Sequence, residues 1–154
     1  MRKLMRTDDD ISRFLVRLFL GLVIFPHGAQ KLLGWFGGGG FSGTMQGMTG
    51  MGLPAVIVFL VILAEFFGSL GLIVGFLGRV AAFGILCVML GAVFTVHLPN
   101  GFFMNWMGNQ KGEGYEYHLL AIAMALAVII GGSGAFSVDR ALTRGTNPPP
   151  PSAR

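Results

Sequence analysis

The sequence predicts an all-α, polytopic membrane protein: a bundle of four transmembrane helices with a short interfacial helix between the first and second. Three observations carry this expectation. The 154-residue chain is 53% hydrophobic and only 12% charged, about half the charged share of a soluble domain. Its apolar residues gather in four runs, at residues 12–34, 54–76, 79–98 and 115–132, each near the roughly 20 residues that cross a bilayer core. A chain this short also has no outer layer with which to cover four apolar helices in water.

The first run follows Arg2, Lys3 and Arg6, which is how a secretory signal begins. Arg13 and Arg17 interrupt its apolar core and no small-x-small cleavage site follows, so an uncleaved first helix is expected. Residues 35–53 are rich in Gly and Met. Phe41, Met45 and Met48 recur there at helical spacing, which predicts the interfacial helix. Pro54 suits the first turn of the next helix. The second and third runs are joined by a very short turn at Leu77 and Gly78, forcing an antiparallel hairpin. Gly68, Gly71, Gly75 and Gly78 form one stripe of small residues, Gly84 and Gly91 a second, and Ala121 and Ala125 a third. In lipid, where no hydrophobic force drives helices together, such residues permit close backbone contact. The loop at 99–114 is polar and aromatic. Four consecutive prolines at 148–151 predict a disordered end. The organisation is therefore a basic tail (1–11), a membrane domain (12–142) and a Pro-rich tail (143–154).

Basic residues set the orientation. With the N-terminus inside, Arg2, Lys3, Arg6, Arg13, Arg17, Arg79, Arg140, Arg144 and Arg154 lie on the cytoplasmic side, against Lys31 and Lys111 outside. Both termini are expected in the cytoplasm of a bacterial-type inner membrane, with Trp35, Trp106, Tyr115 and Tyr117 lining the outer interface. The net charge of +4 does not indicate nucleic acid, because the basic residues sit at the ends of apolar runs rather than in a stripe with aromatics. Cys87 is the one cysteine, so no intramolecular disulfide can form.

Ionisable residues at bilayer depth cost at least about 2.5–3.5 kcal/mol each and are functional suspects by default. Arg13 and Arg17 are expected to snorkel to the inner interface. His27, Gln30 and Lys31 share a face of the first helix, after Pro26, which frees the carbonyl of Leu22 and predicts a kink. Glu65 lies near the midplane of the second helix, either as a functional carboxylate or as a structural partner of Lys31 or an arginine. His97 ends the third helix; Glu116 and His118 open the fourth. The three histidines are placed several turns apart in depth and no two share an i, i+4 face. That spacing argues against a zinc, copper or haem site without eliminating it. Met45, Met48 and Met51 could offer thioethers to Cu(I), but at an interface they read more simply as apolar anchors.

Arg17 and Gly21, followed by His27, Gly28, Lys31 and Leu32, resemble the first helix of DoxX-like membrane proteins. Glu65 and Gly68, with the glycine-rich run to Gly78 and Arg79, are similar to that family's second helix and turn. His97, Glu116 and Tyr117, and the closing Gly132, Ser133, Gly134, Ser137 and Asp139 extend the resemblance over residues 12–141. The family is named for kinship with the small membrane subunit of an archaeal thiosulfate:quinone oxidoreductase, and members are linked to oxidoreductase complexes that handle thiol stress. The resemblance implies a non-autonomous membrane subunit of a quinone-linked oxidoreductase, with a soluble or membrane-bound oxidoreductase as partner. A quinone or similar lipophilic carrier would then sit in the outer half of the bundle, held by His27, Gln30, Lys31, Glu65, His97, Glu116 and His118. The alternative is a non-enzymatic scaffold or small-solute carrier using the same polar cluster. Association with further copies of the chain is left open by the sequence.

Overall fold

The computed structural model describes residues 2–143; most of the Pro-rich tail expected at 143–154 lies outside the described residues. A short helix α1 (Arg2–Met5) precedes α2 (Ile11–Leu33), α3 (Gly40–Gly50), α4 (Ala55–Val74), α5 (Gly78–Asn100), α6 (Glu116–Gly131) and a last short helix α7 (Val138–Thr143). Helices α2, α4 and α5 are long and apolar enough to cross a membrane, and α6 is apolar over 16 residues. The four alternate in direction and close a ring, α2 on α4, α4 on α5, α5 on α6 and α6 back on α2. Leu20, Ile24, Leu72, Ile85, Met89 and Val128 fill its centre. The outward faces are apolar as well, with Phe19, Phe59, Phe67, Phe83, Phe94 and Leu120 exposed, as a lipid-facing surface requires. The interfacial helix expected from Phe41, Met45 and Met48 is α3.

One end of the bundle carries the two long connections and is called here the loop end. The other, the turn end, carries the α4–α5 turn and residues 2–10 and 132–143. Helices α2 and α4 touch at backbone distance: a Cβ on Gly28 would lie 2.6 Å from backbone atoms of Glu65 and Phe66, and one on Gly21 would lie 2.9 Å from the Ser69 carbonyl oxygen. This contact staggers the pair. Five residues of α2 remain beyond Gly28 while ten of α4 lie beyond Glu65, so α2 ends about 8 Å short at ~1.5 Å per residue. Helix α3 occupies that step, with Phe41 edge-on to Phe59 of α4 and the Thr44 hydroxyl donating to the Lys31 carbonyl at 3.2 Å.

The turn end is organised by Arg17, which does not snorkel as expected. Its side chain is fully buried and its N–H groups donate to five carbonyls: Ser133 (2.7 Å), Leu72 (2.5 Å), Ile73 (2.8 Å), Ala135 (3.2 Å) and Phe136 (3.1 Å). Leu72 and Ile73 belong to the last turn of α4, whose carbonyls have no helical acceptor role left to fill and carry the negative end of the helix dipole. Asp139 is the counterpart. It accepts from the backbone N–H of Leu77 (2.8 Å) and Gly78 (3.0 Å) and from the Ser133 hydroxyl (2.6 Å), capping the positive end of α5. Together they hold Leu77 and Phe136 at φ 50 and 49, a left-handed conformation that costs a side chain about 1 kcal/mol or more. The small-residue stripe ends earlier than the sequence indicates. Gly75 is the left-handed cap of α4, with φ 71, and Gly78 opens α5; Gly91 has no neighbour within 4 Å where a Cβ would stand.

Two further arginines collect the last carbonyls of α6: Arg13 those of Gly131 (2.9 Å) and Arg79 those of Ile129 (2.9 Å) and Ile130 (3.1 Å). Arg79 also binds the carbonyl of Arg6 at 2.5 Å, tying down the segment before α2. Asp10 caps α2 through the N–H groups of Ser12 and Arg13, and the Arg13 N–H foremost holds its carboxyl below the usual range. Lysine cannot reproduce the five-donor fork of Arg17. Substitution Arg17→Lys is therefore expected to cost about 3 kcal/mol or more, since hydrogen bonds to a charged group contribute about 1.5–3 kcal/mol each. A fall of several degrees in thermal midpoint in detergent would show it; a midpoint equal to wild type would refute it.

Candidate functional site

Ionisable side chains from all four membrane helices converge between the middle of the bundle and its loop end. Glu65 stands on a π-helical turn, Ala64–Gly68, a local widening that is frequent at functional positions. It is buried, and its Oε2 accepts from Lys31 Nζ at 2.6 Å. The pair forms because Gly28 lets the two backbones meet, bringing the next turn of α2 over the carboxylate. The ion pair between Glu65 and Lys31 that the sequence allowed is formed. His97 also stands on a π-helical turn, Val93–His97. Its Nδ1–H donates to the carbonyl of Glu113 at 2.8 Å.

Between these two anchors lie His27, Tyr117 and His118. The Tyr117 ring is 6.3 Å from His27 and 5.3 Å from His118, and the His118 ring is stacked 4.1 Å from His97, centre to centre. His27 adjoins Gly28, which meets the backbone of Glu65 and Phe66. Glu65, His27, Tyr117, His118 and His97 therefore form one continuous cluster across the bundle. Tyr117 Oη and His118 Nδ1 are buried and have no hydrogen-bond partner among the described residues.

Several expectations are corrected here. His97 and His118 are not turns apart in depth. One ends α5 and the other begins α6 in the antiparallel direction, and the loop between them returns to the same level. Among the described residues no group of three or more His, Cys, Asp or Glu is arranged to hold a metal ion. Tyr117 does not line the interface but packs against the bundle core. Gln30 and Glu116 stand apart from the cluster. Gln30 donates to the Phe36 carbonyl at 3.2 Å, and Glu116 accepts from the Met104 N–H at 3.2 Å and the Trp106 indole at 3.3 Å. Both fasten loops. Sequence reading missed Tyr117 as a site residue because an aromatic at a helix start is ordinarily a belt residue; its place one residue before a buried histidine was the available signal.

The family model for DoxX matches residues 12–98. The chain belongs to the DoxX family. It is 29% identical over 140 residues to "Inner membrane protein YqjF" of Escherichia coli (strain K12), covering 91% of this chain and 98% of that protein. It is 27% identical over 141 residues to "Putative oxidoreductase CatD" of Bacillus subtilis (strain 168), covering 92% and 94% respectively. No solved structure matches it. The matched segment holds His27, Lys31, Glu65 and His97 of the cluster, while Tyr117 and His118 lie beyond it. With the apolar helices, the family and the inner-membrane relative, this is a membrane protein.

The Lys31–Glu65 pair carries a direct expectation. Removing one partner of a buried pair leaves the other charge uncompensated and costs about 3–5 kcal/mol. Lys31→Met should lower the thermal midpoint sharply, and the double variant Lys31→Met, Glu65→Gln should recover most of the loss. Equal midpoints for the single and double variants would show that the two side chains are not coupled.

Proposed function

We propose that the protein is a membrane-embedded oxidoreductase subunit whose polar cluster holds the head group of a quinone or similar lipid-soluble carrier. One observation carries this reading: two adjacent buried groups, Tyr117 Oη and His118 Nδ1, have no partner among the described residues. A buried polar atom without a hydrogen bond costs about 1–3 kcal/mol, and native structures rarely keep such atoms unless a ligand or water completes them. The donor set suits a quinone. The Tyr117 hydroxyl would donate to a ring carbonyl, Lys31 gives one of its three N–H bonds to Glu65 and keeps others, and His118 Nδ1 would donate or accept according to tautomer. Bound there, a quinone supplies two-electron carrier chemistry.

The chain's own residues orient the head group and handle protons. Glu65 is a carboxylate already polarised by Lys31. His97 has its Nδ1–H fixed by the Glu113 carbonyl, so its Nε2 is free to exchange a proton next to His118. Histidine, carboxylate and phenol in sequence are ordinary general acid–base groups. The relative named as an oxidoreductase is in keeping with this role. A soluble or membrane-bound oxidoreductase that delivers the electrons is the partner the reading requires. By the distribution of arginines, the turn end and both termini face the cytoplasm, so the cluster lies in the outer half.

Tyr117→Phe separates ligand binding from packing. Deleting an unpaired buried hydroxyl should leave the thermal midpoint unchanged or raised, yet weaken binding of a short-chain quinone to the reconstituted protein about tenfold, the loss of one hydrogen bond. Unchanged quinone affinity would sink the reading, and uptake of a polar solute into proteoliposomes would replace it with a carrier. For the orientation, a fluorescent protein fused after residue 154 should mature and fluoresce, while alkaline phosphatase at the same position should stay inactive. The opposite pattern would invert the topology.

A further inference from the structure

At the turn end, a cleft of about 480 Å³ opens between the segment before α2 and the adjoining ends of α5 and α6, lined by Arg6, Asp8, Arg13, Arg79 and Ile130 among others. Three guanidiniums meet two carboxylates, Asp8 and Asp10, which leaves one positive charge uncompensated among the described residues. The cations are not equivalent. Arg13 pairs with Asp8 at 2.7 Å and with Asp10 at 3.4 Å, and Arg79 is committed to carbonyls of α6 and of residues 4 and 6. The guanidinium of Arg6 is exposed and makes no hydrogen bond or ion pair with the described residues. The neighbouring cleft at the same end is different in kind, because its Arg140 is paired with Asp9.

The cleft also has an apolar side that leads into the membrane. Ile130 is 79% exposed at its rim, and Leu126, one turn along the same face of α6, is exposed too. A cationic hollow at the end of a helix, continuous with a lipid-facing apolar stripe, matches an amphiphile with an anionic head and an acyl chain. Basic pockets between transmembrane helices on the arginine-rich side bind anionic lipid head groups.

The geometry points to a phosphodiester-binding site in this cleft that takes the head group of an anionic phospholipid, with Arg6, Arg13 and Arg79 as its cations and the acyl chain along Leu126 and Ile130. Arg6 closes over the phosphate, while Arg13 and Arg79 form a preorganised floor held by their carbonyl partners. The shared chemistry is a phosphate oxyanion, which free phosphate also offers; the apolar stripe favours the lipid. The site is separate from the polar cluster at the other end of the bundle, so it stands whether or not that cluster binds a quinone.

The test is native mass spectrometry of the full chain in detergent, titrated with phosphatidylglycerol or phosphatidylcholine and repeated with inorganic phosphate in excess. Phosphatidylglycerol should be retained in preference to phosphatidylcholine and should survive the phosphate. Arg6→Glu should lower its retention by about fivefold or more, the weight of one basic residue at an anionic membrane surface, with the thermal midpoint unchanged because this side chain has no structural partner. Lys111→Glu, the same charge change in the loop at the opposite end, should leave retention as it was. Equal retention of the two lipids, or equal loss from both variants, would overturn the site. Complete displacement by inorganic phosphate would overturn the lipid assignment and leave a free-anion site.

Discussion

A guanidinium placed inside a membrane bundle must find a hydrogen bond for every N–H group, because neither water nor lipid offers one. Arg17 meets that requirement with five backbone carbonyls drawn from two separate stretches of chain, residues 72–73 and 133–136. The same requirement read from the other side explains the turn end. The last carbonyls of α4 have no intrahelical partner, and the strained turns at Leu77 and Phe136 would relax without an anchor. Arg17 satisfies the carbonyls, and Asp139 satisfies the free N–H groups at the start of α5. One buried cation and one buried carboxylate, each bonded mainly to backbone, therefore fix where α4 stops, where α5 starts and how the segment after α6 folds back.

With the turn end fixed, the loop end follows from a contact between backbones. Gly21 and Gly28 let α2 lie against α4 with no side chain between them, and the register of that contact places Lys31 over Glu65. The π-helical turn at Ala64–Gly68 sits at the contact, and a second, Val93–His97, presents His97 to His118. Widened turns give up regular helical hydrogen bonds, and here each of them carries one of the ionisable residues of the cluster. The stagger also seats α3 over the end of α2, against α4. The polar residues are thus divided by position: arginines and Asp139 hold one end, while His, Tyr, Lys and Glu occupy the middle and the other end.

Much of this was legible in the residues. The four apolar runs, the interfacial helix marked by Phe41, Met45 and Met48, and the hairpin around Leu77 follow from local composition and period, which do not depend on partners. Glu65 and His27 were identifiable because a charge or imidazole in an apolar run is costly wherever its helix packs. The errors arose where partners decide. Arg17 read as a snorkelling residue, since nothing local distinguishes a guanidinium reaching water from one reaching carbonyls more than fifty residues away. Gly75 read as part of a helix stripe although it ends the helix, and nothing local showed that Glu116 fastens residues 104 and 106.

The sequence by itself determined that this is an all-helical membrane protein, where its apolar runs lie, and which few polar groups fall within them. Transfer free energy and helical period are properties of consecutive residues, and lipid enforces both. Tertiary structure alone decided that α2 and α4 are staggered, that Lys31 meets Glu65, that His97 lies on His118, and that the Tyr117 hydroxyl is buried without a hydrogen-bond partner among the described residues. Each of these depends on the relative height and rotation of two helices. That is fixed by backbone contacts at a few glycines and by hydrogen bonds between distant segments, which no stretch of sequence contains.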